Sequence, residues 1–221
     1  MQTLASLKDH PLFRDLTEED FSHACTFLQA SFKTYKRGEF LIRAGEAFRF
    51  FGIVAKGSIQ VYTDDIDGNC MMMANVGANE SFGESLAYFL TEESPVYAVA
   101  FEDAEVVWLS AAALRQAYAD EKAAPVAALL KERFTALLAA RALSQNDRIQ
   151  ILSKPTIRER LIAFFTQWEH RTKSRTFRVP FDRSSLAVYL GVNRSALSRE
   201  LSAMKKEGII DFFRSSFRLL K

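Results

Sequence analysis

Cysteine is the first scarcity. The 221 residues hold only Cys25 and Cys70. Within one chain that is too few for a disulfide framework, a four-cysteine zinc site or a four-cysteine iron–sulfur cluster. The three histidines, His10, His23 and His170, are scattered without metal-ligand spacing and read as surface or packing residues. No run of 18 apolar residues occurs, so a membrane span is not expected. The opening MQTLASLKDH has no basic segment followed by an apolar one. It is not a secretion signal, and the expectation is a cytoplasmic protein without membrane contact. Also missing are a phosphate-cradling loop, a nucleophile–base set and a metal motif, so the sequence offers no enzyme chemistry.

What is present fits a folded chain: 48% apolar, 25% charged, and 19 phenylalanines that should make ring-rich cores. The net charge of +2 hides an asymmetry. Lys154 to Lys221 carries 15 Lys and Arg against 6 Asp and Glu, a net of +9, whereas the preceding residues carry 14 against 21. A basic third on an acidic body suggests a polyanion-binding module joined to something else, with a merely solvated basic surface as the alternative.

Thr17 followed by Glu18-Glu19-Asp20 is an N-cap with an acidic first turn, so helical pieces are expected from Leu4 to Gln29. From Ser31 to Leu109 glycines recur between short β-rich runs, with a strong turn at Asp65 to Asn69. That pattern predicts a compact β-barrel or roll. Its strand Cys70-Met71-Met72-Met73 offers soft ligands, but alternation sends neighbours to opposite faces, and adaptable core residues are the preferred reading.

Helix follows, over Ala111 to Tyr118 and then Ala123 to about Ser144. Ala127, Leu130, Phe134 and Leu137 alternate in spacings of three and four. This stripe suits a partner helix and is taken as a dimer helix, with burial against the chain's own barrel as the competing use. Asn146 to Pro155 is expected to be a hinge. Thr156 and Glu159 make a capping-box pattern ahead of a helix with an apolar face.

The stretch FDRSSLAVYLGVNRSALSRELSAMKKE starts at Phe181. Asp182 can cap a short helix that turns Leu186, Ala187 and Leu190 inward. Gly191 permits a sharp turn, and Asn193 or Ser195 can start a second helix burying Leu197, Leu201 and Met204. This is a helix-turn-helix arrangement. Its exposed side carries Arg194, Ser195, Ser198, Arg199, Lys205 and Lys206. Arginine matches two guanine acceptors in the major groove, and lysines hold phosphates. Ile209 to Arg214 and Phe217 to Leu220, joined through Ser215-Ser216, read as a two-stranded wing. Double-stranded DNA is the expected partner.

The order of parts resembles the CRP/FNR superfamily of transcription regulators. The segments that carry the resemblance are HPLFRDLTEEDF, YKRGEFLIRAGEAFRFFGIVAKGSIQVY, DGNCMMMANVGANESFGE and FDRSSLAVYLGVNRSALSREL. The resemblance implies an α+β fold: a cyclic-nucleotide-binding-like β-roll (a double-stranded β-helix) over 1–122, a long dimerisation helix and hinge over 123–146, and a winged helix-turn-helix over 147–221. It also implies a homodimer on a near-palindromic operator, a signal received in the roll, and RNA polymerase as a partner. Arg183 resembles a phosphate anchor. Ser195 stands where the family usually has glutamate, which puts the usual operator in doubt.

In cyclic-AMP-binding members, a glutamate after glycine holds the ribose, and an arginine ten residues later grips the phosphate. Here Gly83, Glu84 and Ser85 keep the first element, while Ser94, Pro95 and Val96 replace the second. A buried phosphate without a counter-charge is costly. Cyclic AMP is therefore not expected, and Glu84 reads as a turn or interdomain residue. The effector stays unidentified. A haem on another ligand or an apolar small molecule stays open. A ligand-binding protein that signals by protein contact is the alternative function, disfavoured by the Arg194/Arg199 helix and the wing.

Overall fold

The computed structural model describes residues 6–64, 70–115, 124–179 and 181–220. The turn at 65–69, the residues 116–123, Pro180 and the side chain of Cys70 lie outside the described residues. The chain divides into two compact units, Met1–Ala140 and Arg141–Lys221.

In the first unit a 3-10 turn, Ser6–Asp9, precedes helix α1, Glu18–Phe27. Thr17 caps α1 by accepting the Asp20 N–H at 3.1 Å. Eight strands follow: β1 (Ser31–Tyr35), β2 (Phe40–Ile42), β3 (Phe50–Lys56), β4 (Ile59–Asp64), β5 (Cys70–Val76), β6 (Ser81–Phe82), β7 (Tyr97–Ala100) and β8 (Ala104–Ser110). They form two antiparallel sheets, ordered β1-β8-β3-β6 and β2-β7-β4-β5. Apart from the consecutive pair β4-β5, neighbours in each sheet are far apart in sequence, which makes the unit a roll rather than a meander. The alternating β7 buries Ala98 and Ala100, and these join Phe51, Ile53, Ile59, Val106, Val107 and Leu109 in one core. Gly57 turns the chain between β3 and β4 with φ +82°, where a Cβ would strike the Asp103 carbonyl.

The β5 methionines depart from the expected core role. Met71 and Met73 are 51% and 44% exposed. The register between β4 and β5 shifts between Val61 and Tyr62, so that Val61 faces Ala74 and Tyr62 faces Met72. Burial nevertheless alternates along β5, with Met71, Met73 and Asn75 exposed and Met72, Ala74 and Val76 turned inward, so half of the run lies on the outer face rather than in the core.

Helix α2 (Glu84–Phe89) lies between β6 and β7, and the long helix α3 covers Ala124–Leu152. Here the dimer-stripe expectation needs correction. Ala127, Leu130 and Phe134 are 1%, 0% and 2% exposed. Leu130 and Phe134 lie in the core of the roll, with Leu137 packed against it. The Phe134 ring meets Phe51 at 5.3 Å and stacks on Tyr88 at 5.8 Å. The a/d spacing is real, but the chain's own sheet takes the apolar face that a partner would otherwise have covered. The first part of the expected hinge segment is helical as well. No glycine or proline interrupts Val126 to Lys154, so helix runs on through Asn146 to Leu152 and stops short of Pro155.

In the second unit, helix α4 (Ile157–Thr172) starts at a complete capping box formed by Thr156 and Glu159. Strand β9 (Thr176–Arg178), helix α5 (Arg183–Tyr189), helix α6 (Arg194–Lys206), and strands β10 (Ile210–Phe213) and β11 (Ser216–Leu219) complete it. The wing has three strands rather than two, in the order β10-β11-β9. Its turn is Arg214-Ser215 rather than Ser215-Ser216, because Phe213 pairs with Ser216. Phe164, Phe165, Phe177, Leu186, Leu190, Leu197, Leu201, Met204 and Phe217 share its core.

Candidate functional site

The helix-turn-helix is assembled by local rules. Asp182 caps α5, accepting the Ser185 N–H at 2.7 Å, and the hydrogen bonds from Ser185 hold its carboxyl below the ordinary carboxylate value. Leu186, Ala187 and Leu190 are buried as the spacing predicts. Gly191 then takes φ +62°, and Asn193 caps α6 by accepting the Ser195 N–H at 2.8 Å. The Ser195 hydroxyl donates to the same Asn193 oxygen at 2.6 Å. Asn193 and Ser195 therefore build the helix start, and Ser195 keeps only its acceptor lone pairs for other use.

With Leu197, Leu201 and Met204 buried, the opposite side of α6 is presented to solvent. Arg194 and Arg199 are exposed there, and Ser198 is half-buried. Among the described residues Arg199 and Lys206 form no ion pair. Lys205 differs. It pairs with Asp211 at 2.6 Å and lies 5.2 Å from the Phe212 ring centre. It fastens α6 to the wing.

Arg183 has a similar double character. Its guanidinium stands 5.0 Å over Phe212 and 5.9 Å from Phe217. Burial, and then the nearby Arg194, push it below its ordinary value. It packs on the wing, and two like charges converge at the starts of α5 and α6. Such a pair is relieved when a polyanion approaches.

Two supporting arginines carry no signature in the sequence. Arg158 on α4 donates to Glu200 at 2.6 Å and, through both terminal nitrogens, to Glu207 at 2.7 Å. This fork clamps α6 against α4 and neutralises the two carboxylates of the recognition helix. Arg160 donates to the carbonyls of Leu190 and Gly191, at 2.9 and 3.2 Å, and to that of Lys154 at 2.9 Å. It thereby satisfies the carbonyls at the end of α5. A helical i, i+2 pair of arginines gives no hint of these partners until α6 is in place.

In the roll, Gly83 precedes α2 with φ +79°, and a Cβ there would run into the Phe48 ring. Glu84, the first residue of α2, is 7% exposed. It accepts the Ser81 hydroxyl at 2.5 Å. Across from it His10 is 1% exposed, its Nδ1 accepting the Leu12 N–H at 3.2 Å. Burial pushes the imidazole down to about 4, against the upward pull of the Glu84 carboxylate. His10 is thus a neutral core residue, and Glu84 is turned toward the N-terminal segment. Ser85 on the same helix is exposed.

The Ser94 region is closed by its own backbone. The Ser94 hydroxyl donates to the Val96 carbonyl at 2.7 Å and accepts its N–H at 3.3 Å. Its N–H donates to Glu46, and its carbonyl accepts from Gly45, both at 2.9 Å. Pro95 contributes a carbonyl that accepts the Thr63 hydroxyl at 3.0 Å. Arg49 reaches the neighbouring segment but is held by both Glu92 oxygens at 2.9 Å. Gly83, Glu84, Ser94, Pro95 and Val96 thus do structural work. Among the described residues no cluster of histidine, cysteine, aspartate and glutamate could hold a metal, and no helix is long and apolar enough to cross a membrane.

Comparison with known proteins matches this division. Residues 32–121 match the cyclic nucleotide-binding domain, and residues 159–221 match the Crp-like helix-turn-helix domain. The chain is 26% identical over 205 residues to the cyclic AMP receptor protein of Thermus thermophilus, covering 92% of this chain and 89% of that protein. It is 25% identical over 183 residues to the fumarate and nitrate reduction regulatory protein of Yersinia pestis, covering 80% and 70%. Among solved structures, the c-di-GMP responsive global regulator CLP of Xanthomonas campestris superposes with a TM-score of 0.66 at 16% identity, over 93% of this chain and all of that one.

A roll of the cyclic nucleotide-binding type joined to a winged helix-turn-helix with exposed arginines defines a DNA-binding transcription regulator. The chain belongs to the CRP/FNR superfamily.

Proposed function

We propose that the chain is a homodimeric, sequence-specific regulator in which α6 reads the major groove through Arg194 and Arg199, rather than an enzyme. The observation that carries this reading is the exposed arginine face at the start of α6, opposite a buried Leu197-Leu201-Met204 face. RNA polymerase and a cytoplasmic setting belong to the same reading.

The roll receives the signal, and that signal is a ligand or modification other than cyclic AMP. Supporting this, Ser94 and Pro95 are engaged internally, and Glu84 is buried against Ser81. Arg49, which reaches this segment, is paired with Glu92 rather than held ready for a cyclic phosphate. The homodimer then uses a different face of α3 from the one the sequence suggested. Ala128, Thr135 and Ala139 face away from the roll, exposed and small enough for a second helix to approach closely. In linkage terms, the effector must bind the DNA-competent arrangement more tightly than the other one.

The test is selection of duplexes from a random-sequence pool, followed by a gel shift at fixed salt. Arg199→Ala should lower affinity for the enriched duplex to the level of unrelated DNA while leaving sedimentation unchanged. Equal affinity of variant and wild type for that duplex sinks the assignment of α6.

A further inference from the structure

The wing carries a feature that the half-site reading leaves unused. Phe213, the last residue of β10, is 73% exposed. Its partner across the hairpin is Ser216, and Ser216 pairs in turn with Arg178. One row across the three strands is therefore phenylalanine, serine and arginine. At the turn, Arg214 places its guanidinium 5.4 Å from the Phe213 ring centre. Arg178 and Arg214 are both exposed. Asp211, the nearest acidic residue on the wing, is already paired to Lys205.

A further observation points this tip at nucleic acid: the wing is fastened to the DNA-reading face at two points. Lys205 near the end of α6 grips Asp211, and Arg183 beside Arg194 stacks on Phe212. Continuity with that face and positive charge around a single apolar ring fit DNA. A narrow hairpin tip also suits a groove about 6 Å wide.

We propose that the tip Phe213-Arg214, with Arg178, enters the minor groove flanking the half-site read by α6, Phe213 as an apolar wedge and the arginines favouring an A·T-rich flank. The proposal rests on the regulator reading above. A narrow A·T minor groove concentrates negative potential and attracts arginine, and a ring set against a base step unstacks it and bends the duplex.

The experiment selects duplexes from a random 30-base-pair pool with wild type, Phe213→Ser and Arg214→Gly. It then measures each protein on the wild-type-selected duplex carrying A·T, G·C or inosine·C flanks. Inosine·C shows an A·T-like minor groove and a G·C-like major groove, so it separates the two grooves. Wild type should enrich paired cores with A·T-rich flanks and bind inosine·C flanks as well as A·T. Phe213→Ser should keep the core, lose the flank preference and bind roughly five- to tenfold more weakly. Arg214→Gly should also bind more weakly while melting no lower than wild type, which a structural role for the side chain does not produce.

Unchanged affinity and unchanged flanks in both variants overturn the wing proposal alone. Inosine·C flanks that behave as G·C overturn entry by the minor groove. Failure of wild type to enrich any sequence overturns the regulator reading, and the wing proposal with it.

Discussion

Replacing Phe134 by alanine separates the two uses of the α3 stripe. Phe134 is 2% exposed and packs on Phe51 and Tyr88 inside one protomer. Truncating such a ring costs about 3–5 kcal/mol, transfer and cavity together. Against a urea dependence of about 2 kcal/mol/M, that moves the midpoint of the roll down by about 2 M. The chain has two tryptophans, Trp108 in the first unit and Trp168 in the second. Trp108 sits edge-on to Phe82 at 5.3 Å and donates to the Tyr35 hydroxyl at 3.0 Å. In a Trp168→Phe background its fluorescence reports the roll alone. Urea melts at two protein concentrations tenfold apart should show the same loss at both, with the self-association constant unaltered by sedimentation. A midpoint shift below about 0.5 M, with weakened self-association, refutes the assignment of Phe134 to the roll.

Three further outcomes follow from the geometry. His10 is held neutral with its pKa lowered to about 4, so the unfolded chain binds one more proton between that value and the ordinary 6.5. Stability of the roll should therefore be fully present above pH 6.5 and fall as pH drops toward 4, by up to about 1.4 kcal/mol per unit; urea melts of wild type and His10→Gln across this window should show the slope in wild type only. Arg158→Met unlocks α6 from α4 by removing the guanidinium bonds to Glu200 and Glu207, so the second unit should melt at a lower temperature, read from Trp168, while the roll is unmoved; coincident loss in both units would contradict the clamp. Titration calorimetry with cyclic AMP should give no heat of binding up to millimolar nucleotide, and micromolar affinity would show that the internal hydrogen bonds of Ser94 do not close the site.

Much of this protein was legible in its sequence because the deciding forces are local. Thr156 with Glu159, Asp182 and Asn193 each announce a helix start by offering an oxygen to a nearby N–H, and each does so in the structure. The spacing of Leu197, Leu201 and Met204 decides which side of α6 faces inward, and so which side displays Arg194 and Arg199. Replacement of a basic residue by Ser94-Pro95 was visible without any fold.

Tertiary structure decided what depends on partners distant in the chain. An a/d stripe states that a helix face is apolar, not what covers it; Phe51 and Tyr88 answer that for Phe134. Alternation divides the Cys70–Met73 run between two faces but does not say which face is covered, so the exposure of Met71 and Met73 emerged only when β5 joined its sheet. Charge counts cannot show which basic residue has an acidic neighbour. Lys205 is tied to Asp211, whereas Arg199 pairs with no acidic residue among those described, and only the folded wing distinguishes them. The sequence by itself determined the capped helix starts and the arginine face. Packing between distant segments determined which apolar and charged groups are left for another molecule, because burial and pairing are properties of neighbours in space.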